Sequence, residues 1–159
     1  MATAPPSFAP GEPLYEARFA ITGIGEYGYS LETLFSGTAP PPPGGARFDV
    51  VFEGALEGPR LSGTAAGTDY ARVRGDGRMD LHIHLRIATP DGAAVAFFGG
   101  GVAVPDPATG LLRLYINAAL HSSDPRYTWV NGLPVWTTGT ADLARREIRV
   151  TGYTPAAGG

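Results

Sequence analysis

Two of the three histidines, His82 and His84, are the residues best suited by type and spacing to carry chemistry. From position 79 to position 87, apolar residues alternate with Asp80, His82, His84 and Arg86. Side chains alternate across a β-strand, so this pattern predicts a strand with one apolar and one titratable face. The function depends on which of these two faces points into a cavity.

The histidine pair could act as acid and base, because imidazole titrates near neutral pH. In this interpretation His82 and His84 are catalytic residues that exchange protons with a bound molecule. Asp80 could orient one ring, and Arg86 could hold a carboxylate or a phenolate. The alternative is a solvated strand face, or histidines with a structural role.

The same pair could instead ligate a metal ion, with His121 as a third imidazole. Against this, the sequence lacks the acidic residue expected a few positions later in a cupin-like site. The cationic Arg86 also shares the histidine face. We therefore predict no metal and no cofactor, and keep the site formed by His82, His84 and His121 as the alternative.

Polar and aromatic residues on the neighbouring predicted strands complete the candidate site. Tyr70, Arg72 and Arg74 share a face before the turn at 75–77, so a hairpin would place them opposite the histidines. We predict that Tyr70 and Arg74 are catalytic and stabilise an oxyanion. The alternative is an ordinary surface ion pair between an arginine and a nearby aspartate. The predicted substrate-binding residues are Glu53, Asp69, Arg72, Tyr115, Asn117, Tyr127 and Trp129.

Some of these residues also have simple structural explanations. Asp69 could cap the backbone, and Trp129 could close a barrel end. Asn131 is the predicted turn residue of Asn131-Gly132, the strongest two-residue hairpin signal in the chain.

The composition excludes several classes of protein. The chain has 159 residues, no cysteine and a net charge of −3. It shows no basic stripe for nucleic acid, no signal peptide and no apolar run of membrane-spanning length. These features predict one cytoplasmic domain without disulfides that binds a small molecule. A small domain of this kind is compatible with a homodimer, for which the sequence indicates no interface.

The order of the predicted elements indicates an all-β protein. The 23 glycines and 15 prolines imply many tight turns between roughly eight to ten short strands. A short helix is predicted from Ser30 to Phe35, and residues 99–101 predict a bulge or a close backbone approach. We expect a single antiparallel calycin- or lipocalin-like barrel over residues 13–153, with flexible segments at 1–12 and 154–159.

A set of short motifs, taken together, resembles the family catalogued as domain of unknown function 3237. The matching residues are Phe52-Glu53-Gly54, Gly58-Pro59-Arg60-Leu61-Ser62-Gly63, Gly67-Thr68-Asp69-Tyr70, Arg74, Asp76-Gly77, Leu81 to His84, Thr89, Asp91-Gly92-Ala93, Ser123-Asp124-Pro125-Arg126-Tyr127, Trp129 and Asn131. The resemblance implies a calycin-like antiparallel barrel. Some fungal relatives look like cofactor-independent cyclases of polyketide-type phenols. Many members carry Asp and Arg where this chain has His82 and His84, so the proton chemistry would differ.

These observations lead to one main functional hypothesis and two alternatives. The main hypothesis is a cofactor-independent acid/base enzyme, an isomerase, cyclase, hydratase or lyase, acting on a small aromatic or polyketide-like molecule inside the barrel. The alternatives are a non-catalytic small-molecule binding barrel and a metal-dependent enzyme with a His-x-His site. Periodicity defines the two faces of the histidine strand but does not tell which one is inside.

Overall fold

The computed structural model describes residues 9–156, which form a closed antiparallel β-barrel of eight strands. Each strand pairs with the next one in the sequence, and β8 pairs with β1 to close the barrel. The predicted all-β barrel is therefore confirmed. The elements are β1 (Pro10–Glu26), α1 (Leu31–Ser36), β2 (Ala46–Glu57), β3 (Gly63–Val73), β4 (Met79–Ala88), β5 (Ala94–Asp106), β6 (Leu111–His121), a 3₁₀ helix (Thr128–Gly132), β7 (Pro134–Asp142) and β8 (Glu147–Pro155).

The barrel extends slightly beyond the predicted domain limits. β1 begins at Pro10 and β8 ends at Pro155, and these two residues are partners in the β1–β8 ladder. Residues 10–12 and 154–155, which we expected in flexible segments, therefore belong to the sheet. The remainder of those predicted segments is 1–9 and 156–159, of which 1–8 and 157–159 lie outside the described residues. Within residues 9–156, no helix is long and apolar enough to span a bilayer.

Strict alternation of side chains fills the interior with apolar groups. On β4 the odd-numbered residues from Met79 to Ile87 are buried, while His82, His84 and Arg86 are exposed. Opposite them, β5 continues in unbroken register through Gly99, Gly100 and Gly101, so the predicted bulge is absent. A close approach is present instead, because a Cβ on Gly101 would lie 1.9 Å from the carbonyl oxygen of Tyr115.

The helix α1 forms as the sequence predicts and covers one end of the barrel. The Ser30 hydroxyl accepts a hydrogen bond from the Thr33 amide at 3.0 Å, and Gly37 ends the helix with a φ of 68°. None of its residues is fully buried. Leu31 nevertheless contributes to the wall of the internal cavity, so α1 is a light cover over this end of the barrel.

The connection between β6 and β7 covers the opposite end and differs from the predicted hairpin. Residues 128–132 form a 3₁₀ helix instead of a two-residue turn at Asn131-Gly132. The Asn131 side chain accepts a hydrogen bond from the Ser122 amide at 2.8 Å and donates one to the Ser122 carbonyl at 2.9 Å. This pairing holds Asn131 against the end of β6. Val130 and Leu61, both essentially inaccessible to solvent, close this end.

Candidate active site

The barrel encloses a cavity of about 90 Å³, several times the roughly 10–15 Å³ that one water molecule needs. Nearly all of its wall is apolar, and four phenylalanines provide the aromatic surface: Phe19, Phe48, Phe52 and Phe97. Only three lining residues among those described carry polar side chains, namely Tyr15, Asp69 and Thr137. The cavity therefore suits a small apolar molecule with very few polar groups.

Asp69 is the charged residue of this cavity. It lies on β3 between Val50 of β2 and Ile83 of β4, and it has the same parity as the buried residues Ala71 and Val73. Its side chain consequently points inward, where the carboxylate accepts a hydrogen bond from the His82 backbone amide at 2.8 Å. Burial raises the pKa of Asp69 to about 6, against the smaller opposing effect of that hydrogen bond.

Tyr15 and Thr137 form the other polar feature of the cavity. Their hydroxyl oxygens are 2.6 Å apart and hydrogen-bonded, and both side chains are buried. Desolvation raises the pKa of Tyr15 to about 12, so its hydroxyl remains protonated at neutral pH. Because a hydroxyl can donate one hydrogen bond while accepting another, this pair could hold an oxygen atom of a bound molecule.

The predicted catalytic histidines lie outside the barrel. His82 and His84 are exposed, because the apolar residues that alternate with them fill the interior. Their Nε2 atoms are 3.3 Å apart, and the ring of Phe98 contacts both imidazoles. Our expectation that this face would meet a molecule inside the barrel is therefore wrong, since the sheet separates the histidines from the cavity.

The other predicted residues on the strands share this outer position. Tyr70 contacts His84, with ring centroids 5.9 Å apart, which agrees with the predicted placement across the hairpin. Arg74 lies in the β3–β4 turn and forms an ion pair with Asp76 at 3.0 Å, the surface alternative considered above. The remaining residues with exposed side chains on outer strand faces are Glu53, Arg72, Tyr115 and Asn117. Of the strand candidates, only Asp69 reaches the cavity.

Tyr127 and Trp129 contribute to the end of the barrel that carries the 3₁₀ helix. The Tyr127 hydroxyl donates to the Asp91 carboxylate at 2.9 Å, and the Arg60 guanidinium lies 3.8 Å from the centre of the Trp129 ring. Neither residue lines the cavity. Their contacts fix the closing segment over the barrel, as the structural alternative for Trp129 predicted.

The three-histidine metal site does not form. His121 is on β6, two strands away from β4, and its Nε2 is 3.4 Å from the Ser123 hydroxyl. Within residues 9–156, no group of three histidine, aspartate or glutamate side chains is arranged to hold a metal ion. Any metal bound by His82 and His84 would therefore have only these two protein ligands from the described chain.

Tyr15 and Thr137 were not among the residues predicted from the sequence. Asp69 was predicted to bind the substrate, but its position inside an apolar cavity was not predicted. Tyr15 belongs to the alternating stripe with Ala17, Phe19 and Ile21, and a tyrosine in an otherwise apolar stripe was the available signal. The parity of Asp69 with Ala65, Ala71 and Val73 was a similar signal. Thr137 offers no such sign, because threonine is common on either face of a strand.

Comparison with solved structures supports the fold and leaves the activity open. A β-barrel-like protein from Acinetobacter baumannii is similar, with a TM-score of 0.74, 19% identity and coverage of 97% of this chain and 99% of that one. A protein of unknown function from Clostridium acetobutylicum has a TM-score of 0.75 at 16% identity, covering 96% and 100%. An enzyme from Penicillium herquei has a TM-score of 0.68 at 20% identity, covering 96% and 99%.

Sequence comparison gives one informative result. No curated protein matches the chain significantly. The family model for DUF3237, described as a protein of unknown function, matches residues 37–150, which is most of the barrel. The chain thus belongs to the DUF3237 family.

Proposed function

We propose that this protein is a cofactor-independent enzyme that transfers protons on a small apolar molecule bound inside the barrel, with Asp69 as the base. One observation carries the proposal: Asp69 is the single charged side chain among the described residues that line the cavity. A carboxylate in an apolar enclosure is costly to bury, and such an arrangement is typical of catalytic acids and bases.

The environment of Asp69 supports a role in general base catalysis. A carboxyl group with a pKa of about 6 is mostly ionised at neutral pH, yet is a stronger base than an ordinary carboxylate. The apolar wall leaves few other polar groups near the carboxylate to compete for the abstracted proton. The hydrogen bond from the His82 amide fixes the direction of the carboxylate.

The simplest reaction consistent with these groups moves a proton without any change in oxidation state. The Asp69 carboxylate would accept a proton from a C–H or O–H bond, and the carboxylic acid would return it to another atom of the same molecule. The Tyr15 hydroxyl, hydrogen-bonded to Thr137, could stabilise negative charge on a substrate oxygen between the two steps. Isomerisation and ring closure can both proceed by removing a proton and returning it to the same molecule. The similar protein from Penicillium herquei is an enzyme, which is compatible with a catalytic role for this barrel.

A non-catalytic binding barrel is the second candidate, favoured by the nearly continuous apolar wall. A carrier needs apolar surface and shape, and does not need a base. The two candidates differ in what Asp69 contributes, because a carrier keeps its ligand affinity and has no turnover to lose.

The test uses 5-nitrobenzisoxazole, a small planar probe that any well-placed base can convert. The base removes the ring C–H proton, the N–O bond breaks, and the electron pair ends on a phenolate oxygen whose absorbance reports the rate. We expect saturable conversion by the wild type and a loss of about 10²–10⁴-fold in the Asp69→Asn variant. The matched control is Asp80→Asn, which removes a partly exposed carboxylate from the outer face of β4.

Binding is measured alongside turnover, by the quenching of protein fluorescence on titration with the same probe. Binding without any conversion that depends on Asp69 would refute the enzyme proposal and support the carrier. Equal loss of rate in Asp69→Asn and Asp80→Asn would likewise contradict a base inside the cavity.

A further inference from the structure

The outer histidine pair has a geometry that the proposed reaction does not use. His82 and His84 lie on the opposite side of the sheet from Asp69, and their Nε2 atoms are 3.3 Å apart. We propose that these two nitrogens chelate one divalent ion of the zinc class. This proposal concerns the outer face alone and does not depend on the activity proposed for the cavity.

The separation of the two nitrogens matches the requirement of a tetrahedral ion. Zinc–imidazole bonds of about 2.0–2.1 Å at tetrahedral angles place two nitrogens about 3.3–3.4 Å apart. A hydrogen bond between the rings is the competing explanation for the short contact. The 3.3 Å separation also satisfies a hydrogen bond in which the Nε2–H of one ring donates to the Nε2 of the other. A metal titration distinguishes the two, because only chelation uses both nitrogens as ligands of one ion.

Neighbouring rings hold the two imidazoles in place. The ring centroid of Phe98 is 5.2 Å from that of His82 and 4.9 Å from that of His84. Tyr70 contacts His84 from the other side, with centroids 5.9 Å apart. Such packing lowers the entropy that the side chains lose when both nitrogens bind one ion.

The space around the pair is open to an incoming ion. His82 is paired across the ladder with Gly100, which has no side chain, and a Cβ built there would have only the Leu81 carbonyl oxygen within 4 Å, at 3.7 Å. Both histidines are exposed. The neighbouring charges on β4 are of both signs, Asp80 on one side and Arg86 on the other, and Arg78 pairs with Asp80 at 2.7 Å. Arg47 and Arg72 line the same outer depression as His82, so the pair is accessible to an ion although arginines lie near it.

The resulting site would be half of a tetrahedral shell. Two positions come from the protein, and the described chain offers no third histidine or carboxylate to the same ion. Water or an external anion would occupy the other two positions. An open arrangement of this kind is expected to bind reversibly, in contrast to closed four-ligand structural sites.

The experiment is calorimetric titration of the purified protein with zinc chloride, compared among four proteins. The wild type is expected to bind one ion per chain. His82→Ala and His84→Ala should each weaken binding at least about tenfold, since removal of even an outer-sphere partner costs that much. His121→Ala is the matched control, because it removes an exposed histidine of the same barrel that lies outside the pair, and it should leave binding unchanged.

A spectroscopic measurement checks the geometry itself. Cobalt(II) replaces zinc in tetrahedral sites and then shows intense visible absorption, which we expect in the wild type and in His121→Ala only. Failure of the wild type to bind zinc saturably would overturn the proposal. So would equal weakening by His121→Ala, which would indicate non-specific binding to surface imidazoles. Unchanged melting temperatures of the variants would show that lost binding does not reflect lost folding.

Discussion

The two faces of β4 differ in their surroundings, because one is packed inside the barrel and the other is exposed to solvent. Inside, Leu81, Ile83 and Leu85 share one packed surface and one cavity with Asp69 from β3. Outside, His82 and His84 contact only a few exposed rings. The outer face carries more titratable groups, whereas the inner face has one carboxylate among apolar side chains, and burial there raises the pKa of Asp69. The comparison shows that the environment of a group, more than the number of such groups, marks a candidate catalytic residue.

The largest difference between the faces should come from placing the same charge on each. Ile83→Asp buries a carboxylate next to Asp69, its partner in the β3–β4 ladder, and we expect a loss of about 4 kcal/mol or more in the free energy of unfolding. His84→Asp, one residue away, should change it by less than about 0.5 kcal/mol. Urea denaturation of both variants measures the contrast. Similar losses would mean that the faces are assigned wrongly.

The second contrast concerns the pH dependence of stability. A pKa of about 6 in the folded protein exceeds the value of an unfolded aspartate, so the folded state binds more protons between about pH 4 and pH 6. Stability due to Asp69 should therefore fall as pH rises through this range, by about 2–3 kcal/mol relative to Asp69→Asn. Tyr15, the other ionisable group facing the cavity, remains protonated throughout.

An outer carboxylate provides the control for this measurement. Hydrogen bonds from Tyr27 and Arg47 lower the pKa of Asp49, so its contribution should be present at neutral pH and disappear on acidification. Denaturation of wild type, Asp69→Asn and Asp49→Asn at several pH values compares the two. If the difference between wild type and Asp69→Asn does not change between pH 4 and pH 6, the carboxyl is not desolvated as described.

Two adjacent glycines of β5 give a smaller contrast. A methyl group on Gly101 would collide with the Tyr115 carbonyl oxygen, whereas one on Gly100 would meet no atom closer than 3.7 Å. We expect Gly101→Ala to destabilise the barrel by about 1–3 kcal/mol. Gly100→Ala should leave the stability unchanged or raise it by up to about 1 kcal/mol, because alanine lowers the conformational entropy of the unfolded chain. Thermal unfolding of the two variants checks the order.

The smallest contrast compares two tyrosine hydroxyls. Tyr15 is hydrogen-bonded to Thr137 inside the barrel at 2.6 Å, and Tyr27 donates to Asp49 at the surface at 2.5 Å. Tyr15→Phe should cost about 1 kcal/mol, because it leaves the buried Thr137 hydroxyl without this partner. Tyr27→Phe should change the free energy of unfolding by less than about 0.5 kcal/mol, since water replaces the lost contact. Guanidinium denaturation measures the free energy of unfolding of both variants, provided that their m-values are equal. Equal losses in the two variants would contradict the predicted difference between the buried and the exposed hydroxyl.

The fold was largely predictable because its signals are local. Alternation identified the strands, and Ser30 and Gly37 marked the ends of the short helix. Asn131-Gly132 was misleading, because a bond between the Asn131 side chain and Ser122, nine residues earlier, outweighs the local preference for a tight turn. Local sequence patterns do not report such a partner.

The site was harder to predict because it depends on closure of the barrel. The two faces of β4 are visible in the sequence, but the identity of the inner face follows from all eight strands packing their apolar sides together. Asp69 was recognised as a candidate, while its position inside the barrel depended on register. Tyr15 and Thr137 come from strands far apart in the sequence, and only the β1–β8 and β7–β8 pairings bring them together.

Closure of the barrel through β1 and β8 also determines the order of events during synthesis. Every other strand pair joins neighbours in the sequence, so the first seven strands can assemble as they leave the ribosome. The outer edge of β1 must wait for β8, and until then it is available to other nascent chains. Pro10 and Pro13 on β1 lack amide hydrogens, and the β8 partner of Pro10 is Pro155, which lacks one as well. Proline cannot donate to a strand ladder, so Pro10 and Pro13 weaken strand addition at the start of the unpaired β1 edge before β8 is made.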